Sequence, residues 1–163
     1  MFDYGLDYQT TNFREQPHLY RVGKGEQGVL LVEPYKSEIL PYWHFKTPAI
    51  AQESSEKIYQ LFLAYKEQQD FVGMDMARKF LQMGYTRSRR YANHRSGKKY
   101  VQNPQKLPAN EQQAARKQIN PQEPDWDRNE KAQSSRIFYE KYLLVKNDPD
   151  YQFLLKRHKN LYR

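Results

Sequence analysis

The sequence predicts an α+β domain: a small N-terminal antiparallel β-sheet or hairpin packed on about five α-helices. Three observations lead there. Phe2, Tyr4, Leu6 and Tyr8 alternate with Asp3, Gly5 and Asp7, the period of a half-buried strand. The stretch "LYRVGKGEQGVLLVEPY", residues 19–35, reads as a short strand, a glycine-rich turn and a second apolar strand over Val29 to Val32. Beyond residue 47, apolar residues recur at helical spacing instead.

In chain order, "TTNFREQP" separates the first strand from the hairpin as a turn, and Pro34 and Pro41 then break the chain. Thr47-Pro48 opens a helix, since Thr caps well and Pro is tolerated at the first helical position. Ile50, Ile58, Leu61, Phe62 and Tyr65 form its buried stripe. Asp70 caps a second helix over 71–83, with Met74, Ala77, Phe80 and Leu81 inward and Asp75, Arg78, Lys79 and Gln82 outward. Gly84 reads as the residue that ends it, and Thr86 as the cap of a short third helix to about Asn93. In residues 101–126, 13 of 26 are Pro, Gln or Asn, which suits a long loop or linker. A helix over about 128–146 and a last one from Asp148-Pro149 complete the chain. The organisation is a single domain over residues 1–163. It comprises a β-rich N-terminal segment (residues 1–46), a helical segment (47–100), the linker (101–126) and a C-terminal helical pair (127–163).

Charge carries the functional signal. The net charge is +8, from 27 basic and 19 acidic residues. Residues 78–99 hold Arg78, Lys79, Arg87, Arg89, Arg90, Arg95, Lys98 and Lys99 and no acid, so the remainder has 27 − 8 = 19 basic against 19 acidic residues. All the excess sits in one segment, the pattern of a polyanion footprint. Its core, "GYTRSRRYANHRSGKKY", interleaves the cations with tyrosines. Helix, Gly84 turn and helix outline a helix-turn-helix, although Phe80 stands where that motif places a small residue. On the helix after the turn, Arg87, Arg90, Tyr91 and His94 share a side. Arginine forks onto phosphate or guanine, and tyrosine stacks on bases.

Other motifs point less far. "GKGEQG" matches G-x-G-x-x-G, but a strand-like run stopped by Pro34 follows it where a phosphate-binding helix is needed, so it reads as a hairpin turn. His18, His44, His94 and His158 lack metal spacing, and the chain has no cysteine. Glu123, Asp125 and Asp127 in "EPDWD" read as acids preceding a helix rather than as Mg²⁺ ligands. The aromatic run "PYKSEILPYWHFKTP" reads as core rather than as a base-stacking platform.

The stretches "FDYGLDY", "LYRVGKGEQGVLLVEPYKSEILPYWHFKTP", "ESSEKIY", "DFVGMDMARKFLQMGYTRSRRYANH" and "SSRIFYEKY" resemble a family of small bacterial and bacteriophage proteins described as a domain of unknown function. The resemblance covers most of the chain outside 101–126. It implies a single cytoplasmic domain and brings no activity, cofactor or site residue with it.

The expectation is a cytoplasmic, non-enzymatic nucleic-acid-binding protein, on RNA or DNA, without cofactor, metal or membrane, and with a monomer favoured. Its phosphate contacts would come from Arg78, Lys79, Arg87, Arg89, Arg90, Arg95, Lys98 and Lys99, with Tyr91 and His94 beside them. One alternative is an enzyme on nucleic acid or nucleotides that pairs His94 with a carboxylate, Asp75 being nearest in sequence. The other is an adaptor whose basic segment docks an acidic protein.

Overall fold

The computed structural model describes residues 1–162, and it is helical. The helices are α1 (Tyr35–Ile39), α2 (Pro48–Glu67), α3 (Phe71–Asn93), α4 (Ala109–Arg116), α5 (Glu130–Lys146) and α6 (Pro149–Leu161). Single 3₁₀ turns occupy Pro17–Leu19, Leu40–Tyr42 and Pro104–Lys106. The β pairing among the described residues is one isolated antiparallel bridge, Tyr100 to Ile119. The expected α+β class and N-terminal sheet are therefore corrected to an all-helical fold. None of these helices is long and apolar enough to cross a membrane.

The helix starts follow local chemistry. Thr47 accepts from the Ile50 amide at 3.2 Å, Asp70 from Gly73 at 3.1 Å, and Asp148 from Tyr151 at 3.0 Å. Asn129 caps α5 through the Ala132 amide at 2.8 Å. Each cap satisfies an amide that the first helical turn leaves unpaired.

α2, α3 and α5 pack as a three-helix core, with α6 against α3. α3 is its centre: every residue from Phe71 to Leu81 is buried, so the outward face expected for Arg78 and Lys79 does not exist. α3 also runs unbroken through Gly84. A Cβ there would lie 2.3 Å from the Phe138 ring of α5, so this glycine permits close helix approach and does not mark a turn. Gly84, Ser88 and Ala92, spaced by four, are all buried along that side of α3. The helix-turn-helix and the separate third helix are thus replaced by one helix of 23 residues.

The N-terminal segment is a coat of turns laid on α3. Asp3 and Asp7 accept from the amides of Gly5 and Gln9, two residues on, which curls the chain where alternation suggested a strand. Phe2 stacks on Tyr8 and Tyr8 on Phe13, while Phe13 meets Tyr20 edge-on. In the supposed second strand Val29 and Val32 are buried while Leu30 and Leu31 are exposed. Successive turns set that spacing, through Val29 N–H to Glu26 O and Leu31 N–H to Gly28 O. Gly23, Gly25 and Gly28 adopt φ of 70°, 58° and 81°, a region costly for other residues. The carbonyls of this loop find donors on α3: Arg78 takes Gly25 O, and Lys79 takes Gln27 O at 2.6 Å. Side chains from the central helix occupy the place of a sheet ladder.

Residues 94–129 form an arm that leaves the end of α3 and returns to it. Its base is closed by Glu123 N–H to Asn93 O at 2.8 Å and by the Asn129 side chain to Ala92 O at 2.9 Å. The stretch expected as linker carries α4 and a 3₁₀ turn, which pack on one another.

Candidate nucleic-acid interface

The basic stretch divides at the surface of the bundle. Arg78 and Lys79, expected as phosphate contacts, are only 7% and 0% exposed. Arg78 pairs with Asp75 at 2.8 Å, and the Asp75 carboxylate also accepts from the hydroxyls of Tyr20 and Tyr151. Burial works against charge on Asp75, yet Arg78, Lys79 and both hydroxyls hold its carboxyl below the usual range. Burial outweighs the pull of Asp75 on Lys79, whose ammonium is pushed down to about 8. These two cations bind the glycine-rich loop to α3 and are withdrawn from the surface.

The remaining six cations lie at the other end of α3 and just beyond it. Arg90, Arg95, Lys98 and Lys99 are exposed; Arg87 and Arg89 are half-buried. Among the described residues none of the six is in an ion pair. Arg89 is oriented by neutral acceptors, Asn93 Oδ1 at 2.7 Å and Trp126 O at 2.6 Å, and its guanidinium lies 5.7 Å from the Trp126 ring centroid. Its charge is fixed in place without being cancelled.

The arm adds cations to these. Gly97 turns the chain with φ of 74°, packed against the Tyr91 ring. Lys98 to Val101 then runs beside Gln118 to Asn120, through Val101 N–H to Gln118 O at 3.0 Å and Asn120 N–H to Lys99 O at 2.7 Å. That pairing sets the segment carrying Lys98 and Lys99 alongside the one carrying Arg116 and Lys117. Over residues 95–119 there are six cations (Arg95, Lys98, Lys99, Lys106, Arg116 and Lys117) and one acid, Glu111, a balance of +5. Lys106, Arg116 and Lys117 were hidden from sequence reasoning in a Pro/Gln/Asn-rich stretch. The closing of the arm brings Arg116 and Lys117 alongside Lys98 and Lys99, and Lys106 stands exposed further along it.

Two aromatic rings are exposed at the foot of the arm, Tyr91 at 38% and Trp126 at 43%. Tyr91 leans on Phe45 with centroids 5.8 Å apart, and the Lys131 ammonium lies 5.3 Å from the Phe45 centroid. Next to Tyr91 is a depression of about 580 Å³ that carries Glu123, Asp125 and Glu130 together with Arg95, Arg128 and Lys131, so acids and cations are mixed at the base of the arm.

His94 ends α3 and is buried, with Nδ1 3.2 Å from Pro121 O. Asp75 lies nineteen residues earlier on the same helix, about 28 Å away at 1.5 Å per residue. The two cannot act on one substrate atom. Glu123, Asp125 and Asp127 do not converge either, and no group of three His, Asp or Glu side chains among the described residues is placed to hold a metal.

A family model described as "Domain of unknown function (DUF4385)" matches residues 3–161. No curated protein and no solved structure matches the chain.

Proposed function

The chain belongs to this family, whose description carries no activity, and we propose that the protein is a non-enzymatic nucleic-acid-binding protein of the cytoplasm that grips its ligand with the basic arm and the adjoining end of α3. The observation that carries the reading is the set of six cations, Arg87 to Lys99, free of ion pairs among the described residues and standing beside the exposed rings of Tyr91 and Trp126. Unpaired cations displace condensed counterions from phosphates, which is the dominant source of affinity for a polyanion. Exposed aromatics accept bases by stacking irrespective of sequence. The reading rests on an arm and not on a recognition helix, so phosphate gripping and stacking replace major-groove readout.

UV crosslinking of bound single-stranded DNA and hairpin RNA, followed by mass spectrometry, tests it. Crosslinked peptides should fall within residues 85–128, with Tyr91 and Trp126 foremost. Crosslinks confined to the opposite end of the bundle would overturn the assignment. So would an acidic polypeptide binding this face where neither nucleic acid does.

A further inference from the structure

The other end of α3 carries a second positively charged site that the arm does not account for. A cleft of about 660 Å³ opens between the glycine-rich loop and α6. That is the size of a small-molecule site. Its rim carries Arg21, Lys24 and Lys159, and among the described residues no carboxylate lines it. Its walls include Phe2, Tyr20 and Tyr162; Phe2 and Tyr20 are buried and form its floor, and the half-buried Tyr162 offers a ring to a planar group. His158 also lines it, with its ring 4.8 Å from Tyr162 and its Nε2 donating to Tyr20 O at 2.8 Å. That bond leaves Nδ1 as the ring's remaining polar atom.

Beneath the cleft lies the buried cluster. Lys79 Nζ is 4.9 Å from the Tyr20 centroid and 5.6 Å from the Phe2 centroid, so two wall rings rest on a buried cation. Asp75, Arg78 and Lys79 sum to +1 there. Among the described residues this buried charge adds to the three at the rim, within low-dielectric walls that concentrate the field. The glycine-rich loop shapes the opening. Gly23 and Lys24 line it, while Arg78 and Lys79 fix the loop from behind by Gly25 O and Gln27 O. No helix N-terminus follows the loop, so the cations must supply the attraction for an anion.

We infer that this cleft binds a small aromatic anion of nucleoside-phosphate size, its planar ring against the half-buried Tyr162 and its phosphate on Lys24, Lys159 and Arg21. The site is separate from the arm and stands or falls independently of nucleic-acid binding.

Calorimetric titration with ADP, adenosine and pyrophosphate tests the inference. ADP should bind more tightly than either fragment, because only it engages both walls and rim. Lys24 and Lys159 are exposed, so Lys24→Ala with Lys159→Ala should fold normally and weaken ADP about tenfold or more through lost charge-assisted contacts. Replacing Arg95, Lys98 and Lys99 by Ala should leave ADP binding unchanged. Absence of ADP binding at millimolar concentration would overturn the inference. Loss of binding in the arm variant but not in the cleft variant would do the same. Pyrophosphate binding as tightly as ADP would remove the aromatic walls from the site, and adenosine doing so would remove the cations.

Discussion

Lys79 donates to one backbone carbonyl, that of Gln27, and is otherwise enclosed by Tyr20, Phe2 and the Asp75–Arg78 pair. Its ammonium is poorly solvated, which is why its pKa falls to about 8. An unfolded lysine titrates near 10.4. Between these values the unfolded chain holds more protons than the folded one, so stability rises with pH over that window. The gain is at most about 3 kcal/mol. Tyr20 and Tyr151 oppose it above pH 10, since burial first and Asp75 second raise their hydroxyls above the ordinary tyrosine value. Denaturant unfolding from pH 7 to 10 should therefore show rising stability in the native protein and a flatter profile in Lys79→Met. An identical profile in both would mean that the lysine is solvated. Asp75 is the counterpart of this group: its removal would leave two buried cations without an anion, a loss of roughly 3–5 kcal/mol for such a pair.

At the scale of elements, the contact of α3 with α5 depends on small residues. Gly84→Ala improves helix propensity by about 1 kcal/mol but drives a methyl into the Phe138 ring, and overpacking of this kind costs about 1–3 kcal/mol. The variant should be destabilised, and the cost should shrink in a Phe138→Leu background. Equal costs in both backgrounds, read from denaturant midpoints, would show that the ring is not what excludes the side chain. The same contact explains what was legible in the sequence. Thr47, Asp70 and Asp148 announce helix starts through bonds to amides three residues away, so local sequence suffices. Gly84 is ambiguous, because glycine serves a turn and a close helix contact equally well, and Phe138 is fifty-four residues distant. The alternation of Phe2 to Tyr8 misleads for a related reason. Asp3 and Asp7 spend their side chains on local turns, and the aromatic spacing then serves a stack of rings over α3.

For the whole molecule, the charge segregation visible in the sequence survives folding in a narrower form. Arg78 and Lys79 leave the footprint because residues 20–28 settle over them, a contact no local pattern announces. Arg116 and Lys117 join it because the arm closes on itself. The six cations between Arg87 and Lys99 were legible as a group by counting alone. Phosphate gripping by this surface is the proposed function, and the salt dependence of binding tests it most directly. For about five phosphate contacts on duplex DNA, the logarithm of the binding constant should fall with the logarithm of salt at a slope of roughly −4 to −5. Replacing Arg95, Lys98 and Lys99 by Ala should flatten that slope by up to about three units and leave thermal stability nearly unchanged, since these side chains are exposed. Replacing Lys57, Lys156 and Arg157, three exposed cations on α2 and α6, removes the same charge and should leave the slope close to native. Equal flattening by both triples, or no salt-dependent binding to duplex DNA, single strands or structured RNA, would contradict the account.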